Sequence, residues 1–200
     1  MAEASVRAFF AVGLEEPLRA EAREVAERLR ERVRAARRHT PRAVEARFAN
    51  EEGWHVTLRF LGDLALPQVG ELAARAREAV AAIAPFEIRL GRAITFPPRR
   101  PRVLALDVAP HEPLETMAMA LDRAAVEGGL AGEARPFRAH VTLARSRGAG
   151  FRERDAEGVA AAGRARQWVR DVVLFESDLR PDGARYTPLE RVALGEGGHP

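Results

Sequence analysis

The 200-residue sequence contains no cysteine. Disulfides, thiolate metal sites and cysteine nucleophiles are thereby excluded, and a reducing cytoplasm is compatible with the chain. Lysine is absent too, so all 32 Lys+Arg positions are arginine. The formal net charge is only +3, which gives no argument for duplex DNA binding. A GC-rich coding bias accounts for arginine replacing lysine. The planar guanidinium fork nevertheless fits phosphate oxygens, so a phosphate-bearing partner stays open. No apolar run approaches the length of a membrane span. The early "AFFAVGL" is short and runs straight into Glu15 and Glu16 with no small-residue cleavage site. It reads as a first strand, not a signal peptide. There is no Gly-rich phosphate loop after that strand, no HExxH pattern and no nucleophile elbow around a serine.

What is present is a chain of globular composition, 46% hydrophobic and 30% charged, long enough for a substantial core. Strand-like and helix-like stretches alternate without a long linker. After the "SVRAFFAVGL" strand, Leu18, Ala22, Val25, Leu29 and Val33 recur at three- and four-residue steps. They predict an amphipathic helix from Pro17 to about Arg38. "RAVEARFA" and "WHVTLRFLG" read as strands, the second ended by Gly62. Helices are expected over Pro67–Ile83, about Pro113–Glu127 and about Glu153–Ala162. "FEIRLG", "RVLALDVA", "HVTLAR", "WVRDVVLF" and "RYTPLERVAL" complete the strands. Residues 1–195 are read as one domain and 196–200, with His199, as a flexible tail. Without strict βαβ repetition, the fold class expected is α+β.

The tetrapeptide "HVTL" occurs twice, at His55–Leu58 and at His140–Leu143. In a strand, side chains alternate, so His55 and Thr57 share one face, as do His140 and Thr142. The valine and leucine of each copy anchor the opposite face. Arg59 continues the histidine face of the first copy. Arg145 has the wrong parity in the second, and reaches the site only if the strand twists, bulges or ends there. Two such units across a groove suit in-line displacement at phosphorus, which needs one group to take a proton and another to give one. Histidine serves either role near neutral pH, while threonine hydroxyls and arginine hold non-bridging oxygens. Two alternatives stand beside this. The histidines can be structural, or they can be two ligands of a zinc site lacking an evident third. His39 and His111 sit in turn-like surroundings.

The flanks extend the motif. "WHVTLRFLGDL" and "RPFRAHVTLARSRG" resemble the paired His-x-Thr motifs of the 2H phosphoesterase superfamily. More narrowly, they resemble the RNA 2′,3′-cyclic phosphodiesterases long labelled 2′-5′ RNA ligases. "VRAFFAVGLEEPLRAE", "ITFPPRRPRVLALDV" and "VVLFESDLRPDGARYTPLERVAL" are similar to that family's opening strand, Phe-Pro turn and closing hairpin. Ala139 stands where the family often has proline.

The resemblance implies a bilobal fold, with two antiparallel-rich sheets lining a central cleft and helices outside. It implies hydrolysis of a terminal 2′,3′-cyclic phosphate to a 2′-phosphomonoester, with no metal and no cofactor; the alternative is 2′-5′ ligation or phosphodiesterase activity in the same site, or a module that binds RNA ends without turnover. His55 is then the general acid and His140 the general base. Thr57, Thr142, Arg145 and Arg59 are the phosphate-binding set. Phe9 is either a base-stacking residue or core, and the "FPPRRPR" loop either an RNA-backbone contact or a solvated turn. The implied partner is an RNA end or nucleotide bearing a cyclic phosphate, with no membrane and no obligate protein partner. The chain is expected to be a cytoplasmic monomer.

Overall fold

The helical periodicity holds: Leu18, Ala22, Val25, Leu29 and Val33 are all buried on one side of helix α1, Glu16–Arg38. A computed structural model describes residues 5–38, 45–147, 150–180 and 183–195. The proposed tail, 196–200, and His39 lie outside these. In chain order the elements are β1 (Ser5–Gly13), α1, β2 (Glu45–Phe48), β3 (His55–Ala65), α2 (Leu66–Val80), β4 (Phe86–Phe96) and β5 (Val103–Ala109). They continue as α3 (His111–Glu127), β6 (His140–Arg147), β7 (Gln167–Val169), β8 (Asp171–Arg180) and β9 (Gly183–Ala193).

The strands form one curled sheet in the order β7-β4-β5-β6-β3-β1-β8-β9, with β2 added to β6. Every described pair of strands is antiparallel, and α1, α2 and α3 pack outside, so the class is α+β as expected. The two sheets expected are the two halves of this one sheet. Between them β3 and β6 share a single pair, Val56 with Val141, among the described residues. Past it the strands diverge, and β2 takes over the edge of β6.

Two expectations fail for local reasons. Gly62 does not end β3. The strand runs on to Ala65 because Gly62, at φ 77°, absorbs a bulge in the pairing with β1. The helix expected over Glu153–Ala162 is only a 3₁₀ turn, Glu153–Asp155, followed by irregular chain. There Gly158 adopts φ 68°, and the Val159–Ala161 backbone bonds to the free edge of β4 at Gly91 and Ala93. Strand-edge pairing has overridden helix propensity.

One side chain ties the edge strand β7 to the end of β1. Gln167 of β7 is buried, and its amide donates to the Gly13 carbonyl at the end of β1 and accepts from the Glu15 amide, both at 2.8 Å. The side chain thus stands in for a strand partner where the β1–β8 pairing has ended. Among the described residues no helix is long and apolar enough to cross a membrane.

Candidate active site

The two HVTL copies occupy equivalent positions on the two central strands. On β3, His55, Val56 and Thr57 pair with Gly13, Val12 and Ala11 of β1. On β6, His140, Val141 and Thr142 pair with Asp107, Leu106 and Ala105 of β5. Each pairing then shifts register at the next residue, so Leu58 in one strand and Leu143 in the other are the extra residues of matched bulges. Continuing the Val56–Val141 register by one residue sets His55 across from Thr142 and Thr57 across from His140.

The bulges decide which arginine joins the site. After each extra residue the side-chain parity inverts, which is why Leu58 and Arg59, like Leu143 and Ala144, are buried in succession. Arg59 is therefore turned off the histidine face, and its assignment to the phosphate-binding set is corrected. At 7% exposure it ion-pairs through Nε with Asp122 of α3 at 2.7 Å, and its two Nη groups donate to the carbonyls of Phe60 and Ala131. Arg145 is turned the other way. It regains the histidine face, and its charge bears on His55, His140 and Tyr186 alike.

Both imidazoles are held in the same way. Nδ1 of His55 donates to the Gly53 carbonyl and Nδ1 of His140 to the Arg138 carbonyl, each at 2.7 Å. Those bonds assign the hydrogen of each neutral ring to Nδ1 and leave Nε2 unprotonated. Nε2 of His55 accepts from the Thr57 hydroxyl at 3.0 Å. Burial pushes His55 down to about 4, helped by the charges of His140 and Arg145 and opposed by the Gly53 bond. His140 is also lowered, chiefly by burial and then by the charges of Arg145 and Arg138, while the bond to the Arg138 carbonyl and, to a smaller extent, Asp107 work in the opposite direction. Both rings are thus neutral near pH 7, and an anion between them would raise both.

Aromatic residues shape each histidine's surroundings. Phe9 is 2% exposed, its ring 4.8 Å from His55, stacked on Phe175 and met edge-on by Tyr186. It is the floor beneath the imidazole, so the core alternative holds for it and base stacking does not. Tyr186 also meets His55 edge-on at 5.0 Å, which the nearness of Gly53 to the tyrosine ring permits. A Cβ on Gly53 would sit 3.1 Å from that ring. Phe96 meets His140 edge-on at 4.6 Å. A cavity of about 330 Å³ opens from His55 along Gly13, Gln167, Trp168, Tyr186 and Arg191.

Sequence reasoning does not find Tyr186, Phe96 or Asp107. Tyr186 is the sole tyrosine, and its place on the closing hairpin is its only sequence signal. The arginines of "FPPRRPR" at Arg99 and Arg100 lie in an exposed turn. The zinc alternative needs a third ligand. Among the described residues no group of three His, Cys, Asp or Glu is arranged to hold a metal ion.

The family model of the 2′-5′ RNA ligase superfamily matches residues 17–180, a span that takes in both His-x-Thr strands. The chain belongs to that superfamily. Within it, an RNA 2′,3′-cyclic phosphodiesterase of Methanothermobacter thermautotrophicus is 31% identical over 191 residues, covering 92% of this chain and 97% of the relative. The Bacillus subtilis protein of the same name is 36% identical over 93 residues, 46% of this chain and 51% of the relative.

Among solved structures, a Thermus thermophilus protein superposes with a TM-score of 0.74 at 28% identity, covering 96% of this chain and all (100%) of that one. Escherichia coli LigT in its apo form gives 0.71 at 26% identity, covering 98% of this chain and 100% of LigT. A further LigT structure holds 3′-AMP, with a TM-score of 0.67 at 28% identity over 96% of this chain and 99% of LigT. The 2′-5′ RNA ligase superfamily is thus matched in sequence, and the fold of LigT is matched over nearly the whole chain.

Proposed function

We propose that this member of the superfamily hydrolyses terminal 2′,3′-cyclic phosphates on RNA, leaving a 2′-phosphomonoester. The observation that carries the reading is the pair of imidazoles with Nδ1 fixed by backbone carbonyls and Nε2 left to react, with Arg145 bearing on both. The cyclic phosphate monoanion binds between the motifs. Arg145 and the Thr57 and Thr142 hydroxyls hold its non-bridging oxygens and offset charge as the phosphorus becomes five-coordinate. His140 Nε2 takes a proton from the attacking water. The new P–O bond forms as the bond to the ribose 3′-oxygen breaks, and His55 Nε2–H protonates that oxygen. One proton enters the couple and one leaves, so turnover exchanges the two protonation states and a proton returns through solvent.

Space supports this orientation. In-line attack puts the nucleophile opposite the leaving oxygen, so the ribose lies on the acid's side. The cavity of about 330 Å³ lies on the side of His55, where it offers room for the nucleoside. Both motifs and Arg145 come from one chain, which supports a monomer complete in itself, and we read it as cytoplasmic.

A defined oligonucleotide with a cyclic-phosphate end tests the reading. The expected result is a 2′-phosphate product in excess EDTA, with His55→Asn and His140→Asn each slowed by ~10²–10⁴-fold. Tight binding with no product would establish a non-catalytic RNA-end module instead, and dependence on an added divalent ion would restore the metal reading.

A further inference from the structure

The two halves of the site match in strand order, bulge position, histidine tether and aromatic edge. They differ in the residue that each histidine faces across the ladder. His55 is paired with Gly13, which has no side chain, and His140 is paired with Asp107. Directly paired residues project from the same face of a sheet, so the Asp107 carboxylate lies on the face that carries His140. Leu106 and Val108 on either side of it are buried in the main core, while Asp107 is partly exposed. Its Oδ2 accepts from His111 Nε2 at 3.1 Å, at the start of α3. Opposite, β4 has its bulge at Gly91 and Arg92. A Cβ on Gly91 would sit 3.5 Å from the Asp107 carboxylate, so the missing side chain leaves that flank of the carboxylate open.

We propose that Asp107, steadied by His111, is a positioning residue that makes His140 the proton acceptor of an otherwise two-fold related pair. The inference rests on the cyclic-phosphodiesterase reading for its catalytic consequence, but not for its electrostatics. When His140 takes the proton of water it becomes an imidazolium beside a carboxylate. When His55 is protonated, its cross-strand neighbour offers nothing in return. The asymmetry therefore favours net proton flow from water to His140 and from His55 to the leaving oxygen. The groups that face His140 are Asp107 from β5, Arg138 and Arg145 from its own segment, and His55 from β3. Those around Asp107 are His140, His111 and the Arg92 bulge. Among them Asp107 is the single acidic group, and it raises the proton affinity of His140 against the two arginines.

The test is an NMR titration of the histidine ring protons in the full chain, run beside steady-state kinetics. Asp107→Asn keeps the shape and removes the charge. His140 is expected to titrate lower, with His55 unmoved, and kcat to fall by ~10-fold per unit of that shift, as the weaker base requires, with KM little changed. The mirror variant Gly13→Asp adds a carboxylate beside His55, where a Cβ meets nothing within 4 Å. There the His55 ring is expected to titrate higher. An unmoved His140 titration in folded Asp107→Asn protein overturns the proposal, as does an Asp107→Asn loss confined to KM. Titration shifts of the expected sign in a chain that turns over no cyclic phosphate would uphold the pairing and overturn the functional reading.

Discussion

Val56 of β3 is paired directly with Val141 of β6, and this pair of identical motif positions is the one described bridge between the two halves of the sheet. Because antiparallel pairing is itself two-fold symmetric, the bridge relates the motifs by a local two-fold axis and sets each histidine opposite the other motif's threonine. A register one residue off would have put the imidazoles on different faces, and a parallel pairing would have set them side by side with neither histidine opposite a threonine. The joint is narrow: beyond it β3 and β6 no longer pair, and β2 takes over the edge of β6.

The matched bulges separate the roles of two arginines that look alike in the sequence. Arg145→Ala is expected to lower kcat/KM for a cyclic-phosphate substrate by ~10²–10³-fold, the usual cost of one lost donor to a developing oxyanion, with the unfolding midpoint unchanged. Arg59→Ala removes the ion-pair partner of Asp122, which among the described residues keeps only its bond from the Glu133 amide, and leaves two carbonyls without their donor at the β3–α3 contact. It is expected to cost about 3 kcal/mol in urea unfolding, while the folded protein keeps its activity. A loss of activity without a loss of stability in Arg59→Ala would return that guanidinium to the site.

Activity should respond to pH in a direction fixed by burial. His55 is pushed down to about 4 and His140 is lowered from the ordinary 6.5. The couple works with one proton, so above both values the active form is depleted tenfold per pH unit. The profile of kcat/KM, which reports the free enzyme, is therefore expected to peak below pH 6.5. Bound phosphate anion raises both histidines, so the kcat profile is expected to peak at higher pH. Coincident optima would mean that the phosphate does not lie between the rings.

Stability carries the same signature with its own sign. The folded chain resists protonation of His55, whereas in the unfolded chain the ring takes a proton near 6.5. Above pH 6.5 the ring is neutral in both states and contributes no pH dependence. As pH falls from 6.5 towards 4, the unfolded state binds the proton first, and stability is lost by at most about 3 kcal/mol. His140 adds to the loss with the same sign. Urea unfolding at pH 7.5, 5.5 and 4.5 measures the slope, and His55→Gln is expected to flatten it.

The parts of the architecture read most easily from the chain are those governed by a local period. Alternation yields the His–Thr faces, helical spacing yields α1, and both survive in the fold. Arg59 is misplaced and Arg145 left open because alternation counts residues. A bulge adds one, and nothing between Thr57 and Phe60 announces it. Gly62 reads as a stop because a positive-φ glycine signals both turns and bulges. Asp107 is invisible for a different reason. Its partnership with His140 spans 33 positions of chain and exists only through the β5–β6 register. The same holds for Tyr186 and Phe9 around His55, which three separate strands bring together. Local chemistry is legible in a sequence, whereas cross-strand neighbours depend on registers that the sequence does not print.

One such neighbour carries the last prediction. Gln167 and Gly13 are far apart in the chain, yet the amide at 167 satisfies both the Gly13 carbonyl and the Glu15 amide at the end of β1. Gly13 is the cross-strand partner of His55, so the clasp also fixes the strand end against which the first imidazole rests. Gln167→Leu keeps the bulk and removes both bonds, leaving one buried donor and one acceptor unpaired. The expected cost is about 2 kcal/mol of stability, with faster hydrogen exchange at the Glu15 amide. Since the clasp acts on β1 and not on substrate, kcat should fall less than stability suggests. Unchanged exchange at Glu15 in Gln167→Leu would show that the edge of β1 is held by its helix alone.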